Sequence, residues 1–227
     1  AWTCARMAAP RPRVTTWTIG ADAPDAVYYQ ALGHAKARAL KLKLTGDGLD
    51  AERIRALRSA RPEVWLGVDG NQGFTRSTLE AIIPLLVEER VAMFEQPLPM
   101  GRHAELDSLY SPIPLAADES AQDLASIATL SPAYSIVNIK LDKCGGLTEA
   151  LAMVKAIRAR GMGVMVGNML GTSLAMAPAF LVGQFCDVVD LDGPVLLRGD
   201  RVPSAIFEDG RIDCPDHIWG GGTAPEQ

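Results

Sequence analysis

Short apolar runs alternate with longer amphipathic stretches along most of this chain. Hydrophobic, often β-branched residues cluster at 14–19, 40–44, 65–68, 92–94, 115–117, 135–141, 164–166 and 187–191, and each cluster reads as a strand. The stretches between them predict helices over 25–39, 50–59, 75–89, 103–109, 121–129, 147–159 and 173–182. Ile54 and Leu57 sit at helical spacing, and the 147–159 segment stops at Gly161. Pro84 marks a place where one helix can kink. Eight strands alternating with seven helices predict an α/β fold, a (β/α)7β-type TIM barrel over 14–197. Near-continuous apolar strands suit a parallel sheet covered on both faces. The rival is an open doubly wound sheet, which would carry a glycine-rich phosphate loop after its first strand. Thr18-Ile19-Gly20-Ala21-Asp22 has none. Residues 1–13 read as a linker or remnant, and 198–227 as a hairpin around Gly199-Asp200 followed by a fraying glycine-rich tail.

Charged residues stand just past several of these runs. Asp69, Glu95 and Asp118 each follow one, Lys41 and Lys43 close a second-strand run, and Lys140 closes the sixth. Between 22 and 26 positions separate Asp69, Glu95, Asp118 and Lys140 in turn, the pitch of one strand-plus-helix unit. In a closed barrel such residues converge at the C-terminal ends of the strands. Three converging carboxylates form an oxygen cage for Mg²⁺, with positions left for a substrate. Any one acid alone is as readily a helix cap or a solvated loop residue. Period two puts Lys41 and Lys43 on one strand face, and Lys140 comes from across the barrel. Mutual repulsion and the cation should lower the Lys41 and Lys43 pKa values toward neutrality, which suits a base. The alternative for each lysine is a stem reaching solvent. Together they point to proton transfer beside a carboxylate, with the cation stabilising an enediolate.

Composition narrows the picture. The net charge of −5 opposes a nucleic-acid surface, and no apolar run is long enough for a membrane span. Cys4, Cys144, Cys186 and Cys214 lack metal-ligand spacing and read as free thiols in a reducing, cytoplasmic compartment, with disulfides as the alternative. Residues 1–13 contain no apolar core of the signal-peptide kind. His34, His103 and His217 read as structural, Trp17 and Trp65 as core, and Arg53, Arg55, Arg58 and Arg61 as a solvated helix face.

Five motifs now combine: Lys41-Leu42-Lys43, Val68-Asp69-Gly70-Asn71-Gln72-Gly73, Phe94-Glu95-Gln96-Pro97, Ala117-Asp118-Glu119-Ser120 and Asn138-Ile139-Lys140-Leu141-Asp142-Lys143-Cys144-Gly145-Gly146. In this order they resemble the barrel domain of the enolase superfamily, muconate-lactonizing subgroup. The resemblance implies that Asp69, Glu95 and Asp118 bind Mg²⁺. It implies Lys43 and Lys140 as acid/bases on opposite substrate faces, with Lys41 as electrostatic partner. Lys143, at odd parity to Lys140, should face elsewhere if the strand persists. Asp190-Leu191-Asp192 resembles the pair that holds the substrate's α-ammonium group in dipeptide epimerases such as the L-Ala-D/L-Glu enzymes. Asn71 and Met169 would also meet substrate. The loop around Met169 departs from the familiar pattern at Asn168 and Gly171, where Cys and Glu are usual. The implied activity is Mg²⁺-dependent epimerisation of a dipeptide by 1,1-proton transfer. The alternatives are o-succinylbenzoate synthase or N-acylamino acid racemase, or a barrel without catalysis. The family carries an α+β capping domain ahead of the barrel, and only 1–13 precede it here. An uncapped site would be wet, so weak isolated activity is expected. An exposed barrel rim favours a homo-oligomer.

Overall fold

A computed structural model describes residues 9–219. Cys4, most of the expected linker and the expected fraying end lie outside the described residues. After β1 (Arg13–Val14), eight strands form one parallel sheet in chain order: β2 (Thr16–Ile19), β3 (Ala39–Lys43), β4 (Trp65–Asp69), β5 (Met93–Glu95), β6 (Leu115–Ala117), β7 (Tyr134–Lys140), β8 (Gly163–Gly167) and β9 (Val188–Asp190). The connections carry α1 (Pro24–Gly33), α2 (Asp50–Ala60), α3 (Arg76–Glu88), α4 (Leu124–Ile127), α5 (Leu141–Cys144), α6 (Leu147–Ala159) and α7 (Ser173–Gly183). This is the expected (β/α) barrel. Outward strand residues such as Leu40, Leu66, Val68, Phe94, Val137, Ile139, Val164 and Val166 are buried against the helices. Inside, Trp65, Met93, Ala116, Ile136, Met165 and Val188 make an apolar plug at the lower end. Polar side chains occupy the layers above it.

Among the described residues the backbone ladder runs from β2 to β9 without ladder pairing between these two end strands. Side chains bridge that seam. The Thr15 hydroxyl accepts from the Leu191 N–H at 2.9 Å. The Thr16 hydroxyl donates to Asp190. The Thr18 N–H donates to Asp192 at 2.6 Å.

Several sequence expectations are corrected. The first helix ends at Gly33, not near residue 39, because Ala39 already pairs with Thr16 and Trp65 in the sheet. The 103–109 segment forms only a 3₁₀ turn (His103–Leu106), and the helix expected at 121–129 shrinks to α4. Asp123 sets the start of α4 by accepting the Ser126 N–H. Helix α3 runs through Pro84. The proline and Glu80, whose carbonyl loses its usual N–H partner, are both exposed, so water can replace that bond. The hairpin lies at β10 (Ile206–Glu208) and β11 (Arg211–Asp213), not around Gly199-Asp200, and β11 also pairs with β1. Asp209 (φ 48°) and Gly210 (φ 72°) supply the two left-handed residues of a tight turn. Asp200 is engaged elsewhere, accepting the Ser173 N–H at the start of α7.

Of the arginines expected to form a solvated face, Arg55 is exposed and Arg61 half-buried, but Arg53 and Arg58 turn inward. Arg53 is buried, with NH1 2.6 Å from Asp47 and 2.9 Å from Asp50. Arg58 is buried and donates to the carbonyls of Glu89, Arg61, Pro62, Val64 and Arg90. Those carbonyls lie at helix ends and in turns, where backbone acceptors lack intrahelical partners. Among the described residues, Cys144, Cys186 and Cys214 are free thiols. His34 packs on Trp17 with ring centroids 5.3 Å apart. No described helix is long and apolar enough to cross a membrane.

Candidate active site at the mouth of the barrel

The inward positions of the strands build the site in two polar layers. The lower layer holds Thr16, Lys41, Glu95, Asn138 and Asp190, with Gly67 and Gly167 on β4 and β8. The upper layer holds Thr18, Lys43, Asp69, Asp118 and Lys140. Register explains the convergence: Lys43 pairs with Asp69, and Asp69 with Glu95, across adjacent strands. Asp118 follows immediately after β6. Above these layers opens a cavity of about 460 Å³. Lys41, Lys43, Asn71, Asp118, Lys140, Met169, Asp190 and Asp192 all line it. Asp69 and Glu95 lie beneath, with no exposed surface.

Each buried carboxylate faces a cation or an amide. Lys43 Nζ donates to Asp69 Oδ2 at 2.7 Å, and Lys41 Nζ lies 3.7 Å from the same oxygen. Lys41 also lies 3.4 Å from Glu95 Oε2 and bonds directly to Asp190. Asn138 donates to Glu95 Oε1 at 2.5 Å. Lys140 holds Asp118 Oδ2 at 2.6 Å, and Lys143 holds Asp118 Oδ1 at 2.6 Å. As the side chains stand, no three His, Cys, Asp or Glu groups among the described residues form a ready-made cation cage. The lysine ammoniums neutralise the acids.

The surrounding carboxylates set the direction for Lys41 and Lys140. Burial pulls the Lys41 pKa down, but Asp190, Glu95 and Asp69 together raise it well above its ordinary value. Lys140 is likewise lowered by burial and raised further by Asp118 and Glu95. Attraction to the carboxylates outweighs both burial and repulsion between the ammoniums. Glu95 is pushed up to about 8 by burial and the neighbouring Asp69, against the pull of Lys41. Asp118 resists burial and is held down at about 2 by Lys143 and Lys140. Asp192 is raised to about 6 by burial and by Asp190. Asp190 is itself lowered: burial opposes this, but Lys41 outweighs it.

Asn71 sits at the rim in a left-handed backbone conformation (φ 41°), its N–H donating to Asp69 Oδ1 at 2.9 Å. Met169 is exposed at the opposite rim. Three further groups belong to this constellation. Gln96 is fully buried, and its Oε1 accepts the N–H groups of Asp118 (2.9 Å) and Ser120 (3.1 Å), which pins the end of β6 to β5. Asn138 joins β7 to Glu95. Lys143 enters because β7 stops at Lys140 and α5 turns the chain back, ending at Gly145 with φ 86°. The odd-parity reading of Lys143 is therefore corrected. The adjacent Gly145-Gly146 pair was the available signal, since such glycines end a helical turn.

The match to known proteins follows the same span. The family model described as "Enolase C-terminal domain-like" matches residues 25–225. The chain belongs to that family. It is 40% identical over 205 residues to an L-Ala-D/L-Glu epimerase from Escherichia coli, covering 89% of this chain and 64% of the relative. It is 37% identical over 211 residues to an N-acetyl-D-glutamate racemase from Pseudoalteromonas, covering 92% and 67%. A dipeptide epimerase from Methylococcus capsulatus, solved with Mg and the dipeptide L-Arg-D-Lys, superposes with a TM-score of 0.84 at 34% identity. That comparison covers 88% of this chain and 60% of the other. The chain thus spans about two thirds or less of the length of these relatives.

Proposed function

We propose that this chain forms the barrel of a Mg²⁺-dependent epimerase acting on dipeptides by 1,1-proton transfer. The observation that carries the reading is three buried acids at successive strand ends, Asp69, Glu95 and Asp118, with Lys43 and Lys140 on different ones. The donor set fits a hard cation: all three acids offer oxygen, and Glu95 Oε2 is buried without a hydrogen-bond partner. Asp69, Glu95 and Asp118 would hold the ion. When bound, it would stabilise the charge that develops on the substrate carboxylate as the α-proton leaves.

The chain's own residues supply the rest. Lys43 removes the α-proton from one face, and Lys140 delivers a proton to the other. In that direction Lys43 must be a neutral amine and Lys140 an ammonium, and the reverse direction exchanges the two roles; sharing Asp69 and Asp118 with a cation would free the lysines from their carboxylates. Lys41 lies deeper, bonded to Asp190, and acts as a fixed positive charge. Asp192 is the better ammonium acceptor of the aspartate pair, because Asp190 already serves Thr16 and Lys41. A cytoplasmic location and a homo-oligomer belong to this proposal.

A second reading, racemisation of an N-acylamino acid, draws support from the Pseudoalteromonas relative. Such a substrate carries no α-ammonium. Deuterium exchange at the α-carbon, measured with L-Ala-L-Glu and with N-acetylglutamate in the presence of Mg²⁺, tests both. Lys43→Ala and Lys140→Ala should each abolish epimerisation, while each retains exchange on the one epimer served by the remaining lysine. Exchange of both epimers in the double variant would refute the assignment of the bases. Asp192→Asn should depress exchange of the dipeptide and spare that of the N-acyl compound, and equal loss on both would remove the ammonium role.

A further inference from the structure

Asp118 is gripped by two lysines, and their surroundings differ. Lys140 has one recorded acceptor, Asp118 Oδ2 at 2.6 Å. Lys143 has three: Asp118 Oδ1 at 2.6 Å, the Asp118 carbonyl at 2.5 Å and the Asn138 carbonyl at 3.2 Å. An ammonium has three protons, so Lys143 is saturated. Its acceptors tie together the end of β6, the middle of β7 and the turn α5. A cation arriving at Asp118 Oδ2 displaces a single bond from Lys140. Displacing Lys143 would break three bonds at once, two of them to backbone carbonyls, in a place where only 13% of its side chain is exposed.

We propose that Lys143 is a positioning residue for cation binding: it stays on Asp118 Oδ1 and aims Oδ2 at the ion, while Lys140 is the lysine that yields. The inference rests on Asp118 being a cation ligand. It divides two adjacent lysines of equal charge and equal distance into a fixed member and a movable one. Groups that orient a metal ligand commonly govern affinity ten- to a hundred-fold.

The sign of the effect separates this from plain electrostatics. Removing a positive charge beside a cation site should tighten binding if charge alone matters. Mn²⁺ affinity of the full chain, read by electron paramagnetic resonance titration, is the probe. Lys140→Met should bind Mn²⁺ as tightly as wild type or more tightly. Lys143→Met should bind it about ten-fold or more weakly, with a melting temperature in chelator that shows a folded protein. Lys143→Gln is measured in parallel and carries the same expectation if the methionine variant does not fold. Wild-type or tighter Mn²⁺ binding by a folded Lys143 variant overturns the proposal. Asp118→Asn separates the two layers of the argument. Unchanged Mn²⁺ binding in that variant defeats the cation reading itself. Lost binding there, with intact binding in Lys143→Met, defeats only the role of Lys143.

Discussion

Adding one methyl group at Gly167 should disturb the site from behind. A Cβ built there would stand 2.9 Å from Asn138 Oδ1, 3.0 Å from Asn138 Nδ2 and 3.1 Å from Lys140 Cε. Contacts this short force a neighbour to move. Asn138 has little freedom, since its amide is bonded to Glu95 Oε1. Lys140 has more, so the displacement should fall largely on the proposed acid/base. Overpacking of this kind costs about 1–3 kcal/mol. Restricting the unfolded chain returns about 0.4–1 kcal/mol. The net loss of about 1–2 kcal/mol corresponds to a fall in melting temperature of about 2–8 °C for a domain of this size. The larger effect should be on turnover, because a misplacement near 1 Å can cost about a hundred-fold. Gly167→Ala should therefore slow α-proton exchange on L-Ala-L-Glu by roughly ten- to a hundred-fold. Gly33→Ala is the control: it ends α1, and a Cβ there meets nothing within 4 Å. It should leave exchange unchanged and raise stability by up to about 1 kcal/mol. If Gly167→Ala exchanged and melted like wild type, the close packing of β7 on β8 would not be what places Lys140.

Other perturbations test the packing and charge balance. Lys41→Met should destabilise the protein by about 3–5 kcal/mol in urea titration, because it leaves the buried Asp190 and Glu95 without their cation. Lys41→Met combined with Asp190→Asn should recover part of that loss. Arg58→Met should cost about 2–4 kcal/mol by releasing a set of helix-end and turn carbonyls, whereas the exposed Arg55→Met should be near neutral. Burial pushes the Cys186 and Cys214 thiols up to about 12, against about 8.5 in an unfolded chain. Above pH 9 the unfolded chain sheds protons that the folded chain keeps. Stability should then fall as pH rises, by about 1.4 kcal/mol per unit for each thiol until its folded pKa is reached. Chemical denaturation from pH 8 to 10 should show a shallower fall in Cys186→Ala.

The barrel was legible because its strands are apolar on both faces and carry their charges only at one end. The same feature marked Asp69, Glu95, Asp118 and Lys140, which a single turn of reasoning brings to one mouth. What escaped depends on where a strand stops and on which strands become neighbours. Lys143 looked misdirected because parity counting assumes a continuing strand, and β7 ends three residues earlier. The Thr15, Thr16 and Thr18 contacts across the seam require the first and last strands to meet, which no local pattern encodes. Arg53 and Arg58 looked like a solvated face because charge usually marks exposure. Arg53 finds Asp47 and Asp50 close by, and Arg58 finds carbonyls both in the turn that follows its own helix and, at Glu89 and Arg90, in a distant one. The raised lysine pKa values were missed for a related reason, since the acids that cause them come from other strands. The Asp209-Gly210 turn was visible in the sequence and lost to a competing Gly-Asp pair ten residues earlier.

In the proposed site, three carboxylates from successive strands share one divalent ion between two lysines. Anomalous scattering from crystals of this protein grown with Mn²⁺ tests it directly. One strong peak is expected within coordination distance of Asp69, Glu95 and Asp118, with Lys140 turned off Asp118 Oδ2. A peak elsewhere, or no peak at saturating Mn²⁺ with all three acids still on their lysines, would contradict it.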